Sequence, residues 1–280
     1  MENRRLSTNL LNNFELQLRN DEKSESTIQK YKRDINFFLA FAGNREIDKN
    51  VTLEYKESLL SKYTVTSANS MIAALNAFLK FLGWIDCVIK QYKVQRQAYC
   101  SEDKELTKAE YIRLVNTAKN NGNEKLSLIL QTICGTGIRV SELKFITVEA
   151  VHKGEAIVSC KGKTRTVFIV KDLKAKLLSF IRRHSIKSGA IFITRSGKPI
   201  NRCNVWKAMK ALCEKAGVSH KKVFPHNLRH LFARIFYGID KDIAKLADIL
   251  GHASINTTRI YIITTCAEHK RKMETMKLII

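Results

Sequence analysis

The chain has 280 residues, 45% apolar and 27% charged, enough to bury one large core or two ordinary ones, and no run approaches the roughly eighteen apolar residues of a membrane-spanning helix. Seven cysteines, an odd number with no C-x-x-C pair, argue against a disulfide framework and a zinc ribbon; the N-terminal residues lack the apolar run of a signal peptide, so reduced thiols and a cytoplasmic protein are expected. The net charge of +23 is unevenly placed: residues 101–280 carry 34 basic against 15 acidic side chains, and 153–222 carry 18 against 3, which suits a polyanion, nucleic acid first.

In chain order, the first hundred residues read as helical. Ile28, Tyr31, Ile35, Phe38, Leu39 and Ala42 recur at the spacing of one helix face, after candidate caps at Ser24 or Ser26. Ile72, Leu75, Phe78, Leu79 and Leu82 repeat the pattern after a start near Ser67, and Gly43 and Gly83 close the two segments. Shorter helices are predicted over roughly 6–20 and 51–62, giving a four-helix bundle within 1–92. Residues 93–106 are polar, mixed in charge and aperiodic, and are predicted to link this bundle to a second domain, 107–280. That domain opens with a helix over "TKAEYIRLVNTAKN", where Thr107 and Glu110 fit a capping box, and a second helix through "EKLSLILQTICGTG". "EAIVSCKGKTRTVFIV" alternates and is rich in β-branched residues, which predicts two strands joined at Lys161-Gly162-Lys163; "AIFITRSGKPI" predicts a third strand. From Asn201 onward the pattern is helical again. The fold class expected is mostly α, with a small antiparallel β-sheet in the C-terminal domain.

Polar groups stand at unusual places in this second part. Arg139 follows two glycines in "CGTGIRVSEL", and Lys161 and Lys163 flank a hairpin tip. His226 and Arg229 lie one helical turn apart in "FPHNLRHLFARIF", with His230 one step further round. His252 comes just past the helix-stopping Gly251, and Tyr261 sits between two isoleucines. Each alone has an ordinary explanation: Arg139 pairing with Glu142, lysines solvated at a turn, His252 capping carbonyls, Tyr261 in a core. Together they suit one phosphodiester. Planar guanidinium forks match its non-bridging oxygens, and fixed cations aimed at developing charge are the strongest aid to such a reaction. A tyrosine supplies a nucleophile for a covalent ester, a histidine can take its proton and a lysine can protonate the departing oxygen. Carboxylates with metal-ligand spacing are absent from the pattern, and so is a phosphate-binding G-x-x-x-x-G-K-[ST] loop, so no cofactor and no metal are expected.

The ordered set "TGIRVSEL", "KGKTR", "HNLRHLFAR" and "LGHASINTTRIY", spread over residues 136–261, resembles the tyrosine recombinase, or phage integrase, family. The N-terminal helices are similar to that family's SAM-like core-binding domain. The resemblance implies that Arg139 and Arg229 clamp the scissile phosphate. It gives Lys161 the protonation of the departing 5′ oxygen, with Lys163 as competitor, and His226 a part in proton transfer. His252 would hydrogen-bond the phosphate, and Tyr261 would attack to form a 3′-phosphotyrosyl ester. Leu231 departs from the threonine often found there in relatives. The implied activity is site-specific recombination of double-stranded DNA by a homotetramer on two sites, through a four-way junction, with two domains closing as a clamp. Accessory DNA-bending or directionality proteins would join it, the tail over 264–280 would dock on its own or a neighbouring subunit, and no further arm-binding domain is expected. A type IB topoisomerase-like relaxing enzyme and a non-catalytic DNA-binding clamp are the alternatives. Asn204, Lys207 and Lys210 are candidates for DNA contact.

Overall fold

A computed structural model of the chain describes residues 4, 8–94, 102–160, 163–261 and 273–276, without the side chains of residues 8, 102, 160 and 163. The chain divides into two compact units, 1–96 and 97–280. No helix among the described residues is long and apolar enough to cross a membrane.

The first unit holds α1 (Thr8–Asn20), α2 (Glu25–Ala42), α3 (Lys49–Leu60) and α4 (Val65–Phe81). The apolar stripe of α2 buries Ile28, Ile35, Phe38 and Ala42. Phe14 of α1 meets Phe78 of α4 with ring centroids 5.2 Å apart. Two starts differ from the sequence expectation, because side-chain acceptors lie upstream of the apolar pattern. Asp48 accepts the Val51 N–H at 2.8 Å and starts α3 early. Thr64 rather than Ser67 caps α4, its hydroxyl facing the Ser67 N–H. Ser24 precedes α2 as expected, but its hydroxyl bonds the hydroxyls of Ser26 and Thr27 instead of a backbone N–H.

The second unit holds α5 (Lys108–Asn120), α6 (Glu124–Thr136), α7 (Val148–Lys153), β1 (Glu155–Cys160), β2 (Lys163–Phe168), α8 (Lys171–Arg183), α9 (Arg202–Leu212), α10 (Pro225–Asp240), α11 (Ile243–Leu250) and α12 (Ile255–Arg259). The capping box forms as the sequence predicts: the Thr107 hydroxyl accepts from the Glu110 N–H at 3.2 Å, and the Glu110 carboxylate from the Thr107 N–H at 2.8 Å. Leu130, Ile133, Leu177, Phe180, Phe192, Met209 and Leu228 share one buried core, and Leu231 is buried with them. Helix α8 is absent from the sequence expectation, although Leu173, Leu177, Phe180 and Ile181 carry its periodicity and are buried.

β1 and β2 pair antiparallel, from Glu155 opposite Phe168 to Cys160 opposite Lys163. Ala156, Val158 and Val167 face the core, while Ile157 and Phe168 face out. The third strand does not form: residues 190–200 make only two isolated bridges, Thr147–Ala190 and Ile193–Pro199. The segment folds back in a turn, Thr194 N–H donating to Lys198 O at 2.8 Å and Ile200 N–H to Phe192 O at 2.9 Å, while Ile191 N–H donates outside it to Ile146 O at 3.0 Å. Pro199 has no N–H with which to extend a ladder.

Of the segment expected to be a linker, residues 95–101 lie outside the described residues. Residues 102–106 belong to the second unit's packing. Leu106 is buried in its core, Asn227 Nδ2 donates to Lys104 O at 2.7 Å, and Arg234 donates to Leu106 O at 2.6 Å and pairs with Glu105. Their polar side chains hide this docking from a reading of composition. The tail expected to dock lies mostly outside the described residues; within it Met273 and Met276 are exposed.

One glycine is fixed by its surroundings. Gly137 ends α6 at φ +66°, and a Cβ there would stand 2.6 Å from Phe232 Cδ1 and 3.0 Å from Leu250 Cδ2. Gly137→Ala should therefore destabilise the second unit by about 1–3 kcal/mol. The measurement is the urea midpoint followed by Trp206 fluorescence in a Trp84→Phe background.

Candidate active site

The site is built on the end of α11. A helix's last carbonyls lack intrahelical donors and carry partial negative charge. Here three arginines take three consecutive ones: Arg165 Nε donates to Ile249 O at 3.2 Å, Arg229 Nη2 to Leu250 O at 2.6 Å, and Arg139 Nη2 to Gly251 O at 3.2 Å. They arrive from β2, from α10 and from the residue that caps the 3-10 turn Val140–Phe145 after α6. Gly251 must be a glycine. Its φ is +64°, and a Cβ would lie 2.7 Å from Arg165 Cδ.

Glu142 sits beneath them, 1% exposed. It accepts from Arg165 Nη1 and Nη2 at 2.9 and 2.8 Å, from Arg139 Nη1 at 3.0 Å and from the Arg139 N–H at 2.8 Å. Burial alone would raise the carboxyl, but the Arg165 fork and the Arg139 donors outweigh it and hold it at about 2. The Arg139–Glu142 pair, an alternative to site membership in the sequence, is thus part of the site.

Arg229 is 1% exposed. It donates to Gly137 O at 2.5 Å and approaches His252 Nε2 at 2.9 Å, and its Nε has no partner among the described residues. Burial, then Arg139, lowers it to about 10, so it stays cationic at neutral pH. Because Arg229 is a donor, His252 Nε2 must accept, which leaves its Nδ1 proton for Thr258 Oγ1 at 2.8 Å. Burial, then Arg229, lowers His252 to about 4.

Tyr261 follows α12 in a turn, 5% exposed. Its hydroxyl lies 3.0 Å from His226 Nε2, and its ring stacks on His230 with centroids 4.1 Å apart. His252 and the Arg229 guanidinium also face the ring, at 4.8 and 5.9 Å. Burial by these neighbours, then Arg229 and Arg139, lowers His226, whose outer edge reaches solvent; the neutral form can accept a proton. His226, Arg229 and Arg139 line a cleft of about 660 Å³ that Arg202, Trp206 and Lys210 of α9 line as well.

The structure thus gathers five of the six expected residues: Arg139, His226, Arg229, His252 and Tyr261. Lys161 lies outside the described residues; Lys163 opens β2 opposite Cys160. Of the α9 candidates only Lys210 lines the cleft; Asn204 and Lys207 are exposed outside its lining. Sequence reading missed Arg165, although it ends the "KGKTR" motif, and missed Arg202 and Trp206, which precede Lys210 at i and i+4 of one helical stripe. No group of His, Cys, Asp and Glu among the described residues could hold a metal ion.

The model of the Phage integrase family matches residues 104–267, and that of the phage integrase N-terminal SAM-like domain matches 11–85. The chain belongs to the phage integrase family. This tyrosine-type site-specific recombinase is 29% identical to tyrosine recombinase XerA of Pyrococcus furiosus, over 100% of this chain and 98% of that protein. Tyrosine recombinase XerD of Halalkalibacterium halodurans is 28% identical, over 85% and 87%. Among solved structures, a lambda integrase dimer bound to a COC′ core site shares the fold with TM-score 0.74 at 18% identity, covering 93% of this chain and 78% of that one. The recombinase fold is mostly helical with a small antiparallel sheet, as the sequence predicts.

Two outcomes follow from the electrostatics of the recombinase site. Glu142→Gln leaves two arginines without their carboxylate and should lower the second unit's stability by about 3–5 kcal/mol, read from its urea transition. His230 and His252 sit at about 3 and 4, below the ordinary 6.5. On acidification the unfolded chain takes up these protons first, so their stabilising contribution is whole above 6.5 and lost as pH falls toward 4. Thermal unfolding across that window should show a falling melting temperature.

Proposed function

We propose that this recombinase cuts one strand of duplex DNA by attack of Tyr261 Oη on a phosphodiester held by Arg139 and Arg229. The observation that carries the reading is the Tyr261 hydroxyl at 3.0 Å from His226 Nε2, beside two guanidinium groups held on the α11 carbonyls. The phenol proton passes to neutral His226 as the P–O bond forms. Charge developing on the non-bridging oxygens meets Arg139 and Arg229, with His252 kept in place by Thr258 and Arg229. The bond to the 5′ oxygen breaks and that oxygen takes a proton from Lys161. The products are a 3′-phosphotyrosyl ester and a free 5′ hydroxyl. Attack of a 5′ hydroxyl on the ester reverses every step and needs no nucleotide cofactor, because the ester keeps the energy of the broken bond.

Site specificity on double-stranded DNA is shared between the two units, the first serving as the core-binding domain. Two sites and four subunits exchange strands through a four-way junction; a related lambda integrase tetramer is seen bound to a Holliday junction. The basic surface of residues 101–280 supplies phosphate contacts. If roughly ten phosphates are neutralised, log K should fall against log salt with a slope near −9.

A pool of end-labelled duplexes of randomised sequence, each nicked so that cleavage releases a short fragment, tests the proposal. Wild type should trap adducts that survive detergent, and the captured duplexes give the target. Tyr261→Phe should keep DNA binding in a gel shift and lose the adduct; an adduct that persists in that variant sinks the assignment. Lys161→Ala should slow cleavage by about 10²–10⁴-fold. A sulfur at the departing 5′ position, which leaves without a proton, should restore it.

A further inference from the structure

His230 has no part in the steps above, yet it makes the closest ring contact of Tyr261. The two rings lie face to face, centroids 4.1 Å apart and planes within 12°. The edge of His230 meets His226 at 4.8 Å and 68°, so the three rings form one stack-and-edge cluster. His230 makes no hydrogen bond among the described residues, so what it offers Tyr261 is a flat face. Its charge state suits that role. Burial, then His226 and Arg234, holds it at about 3, leaving a neutral ring that adds no repulsion to Arg229.

The need for such a face follows from where Tyr261 sits. It leaves a helix of only five residues, α12, in a turn. Ala233, Leu246 and Leu250 of its cluster are aliphatic, and Phe232, Phe236 and Tyr237 pack against that cluster; His226 and His252 meet the Tyr261 ring at 66° and 51°, so of the three histidines His230 is the one that lies parallel to it. In-line attack demands that Oη be placed closely, since a misplacement of about 1 Å can slow a reaction by roughly 10²-fold.

We propose that His230 is a positioning residue of this recombinase: its ring, stacked on Tyr261, sets the plane of the phenol and aims Oη at His226 and the bound phosphate, by shape and without moving a proton. The proposal rests on the reading of Tyr261 as the nucleophile.

The test compares His230→Ala, His230→Leu and His230→Phe on the duplex that wild type captures from the randomised pool. Two rates are read: adduct formation in a single turnover, and nitration of Tyr261 by tetranitromethane in the DNA-free protein, located by peptide mass spectrometry among the eight tyrosines. Alanine and leucine should slow the adduct by about 10- to 100-fold and speed nitration of Tyr261. Phenylalanine, which keeps the flat face and lacks the nitrogens, should restore both rates to near wild type. Should alanine unfold the chain, leucine, which fills the space without a plane, decides the point. A phenylalanine variant as slow as alanine would mean that a His230 nitrogen is required and would overturn the proposal. So would alanine and leucine variants indistinguishable from wild type. If wild type itself forms no adduct, the nucleophile reading fails, while the nitration arm still decides whether the stack orders the phenol.

Discussion

Everything in the second unit's site depends on one helix end. Ile249, Leu250 and Gly251 present three carbonyls in sequence, and three guanidinium groups from distant parts of the chain converge on them. Three like charges in one place would repel each other. The partial negative charge of the helix terminus and the buried carboxylate of Glu142 offset that repulsion before any ligand arrives. The arginines are therefore fixed in the free protein, and on the proposed reading little reorganisation remains for the moment when phosphate charge develops.

The local chain is shaped to make this convergence fit. Gly137 turns α6 aside so closely to Phe232 that no side chain can stand there, and its carbonyl receives Arg229. Gly251 does the same against the Arg165 stem, and the next residue, His252, is delivered to Arg229. In both places the glycine is demanded twice, by a left-handed backbone and by a neighbour within van der Waals reach. This is why two short glycine-bearing strings in the sequence carry so much of the site.

The order of motifs was enough to identify five clustered residues, because one-turn spacing places His226 with Arg229 and helix-stopping glycines precede Arg139 and His252. It was not enough for Arg165 or for the ring of His230, whose roles depend on which elements meet in space. Helix starts shifted where Asp48 and Thr64 offered acceptors ahead of the apolar stripe. The missing third strand is the same lesson in β structure: residues 190–200 have strand composition, but their backbone bonds are split between a turn closing at Thr194–Lys198 and a single bond to Ile146 O, and form no ladder. The polar run 102–106 concealed a buried Leu106 because one apolar residue makes no period.

Tyr261 is enclosed by rings and arginines of its own polypeptide. On the proposed reading, attacking atom, proton acceptor and phosphate ligands travel together in a single subunit. On that reading assembly has none of Arg139, His226, Arg229, His252 and Tyr261 to supply. On the same reading, what neighbours add is timing: which copies act, and in what order.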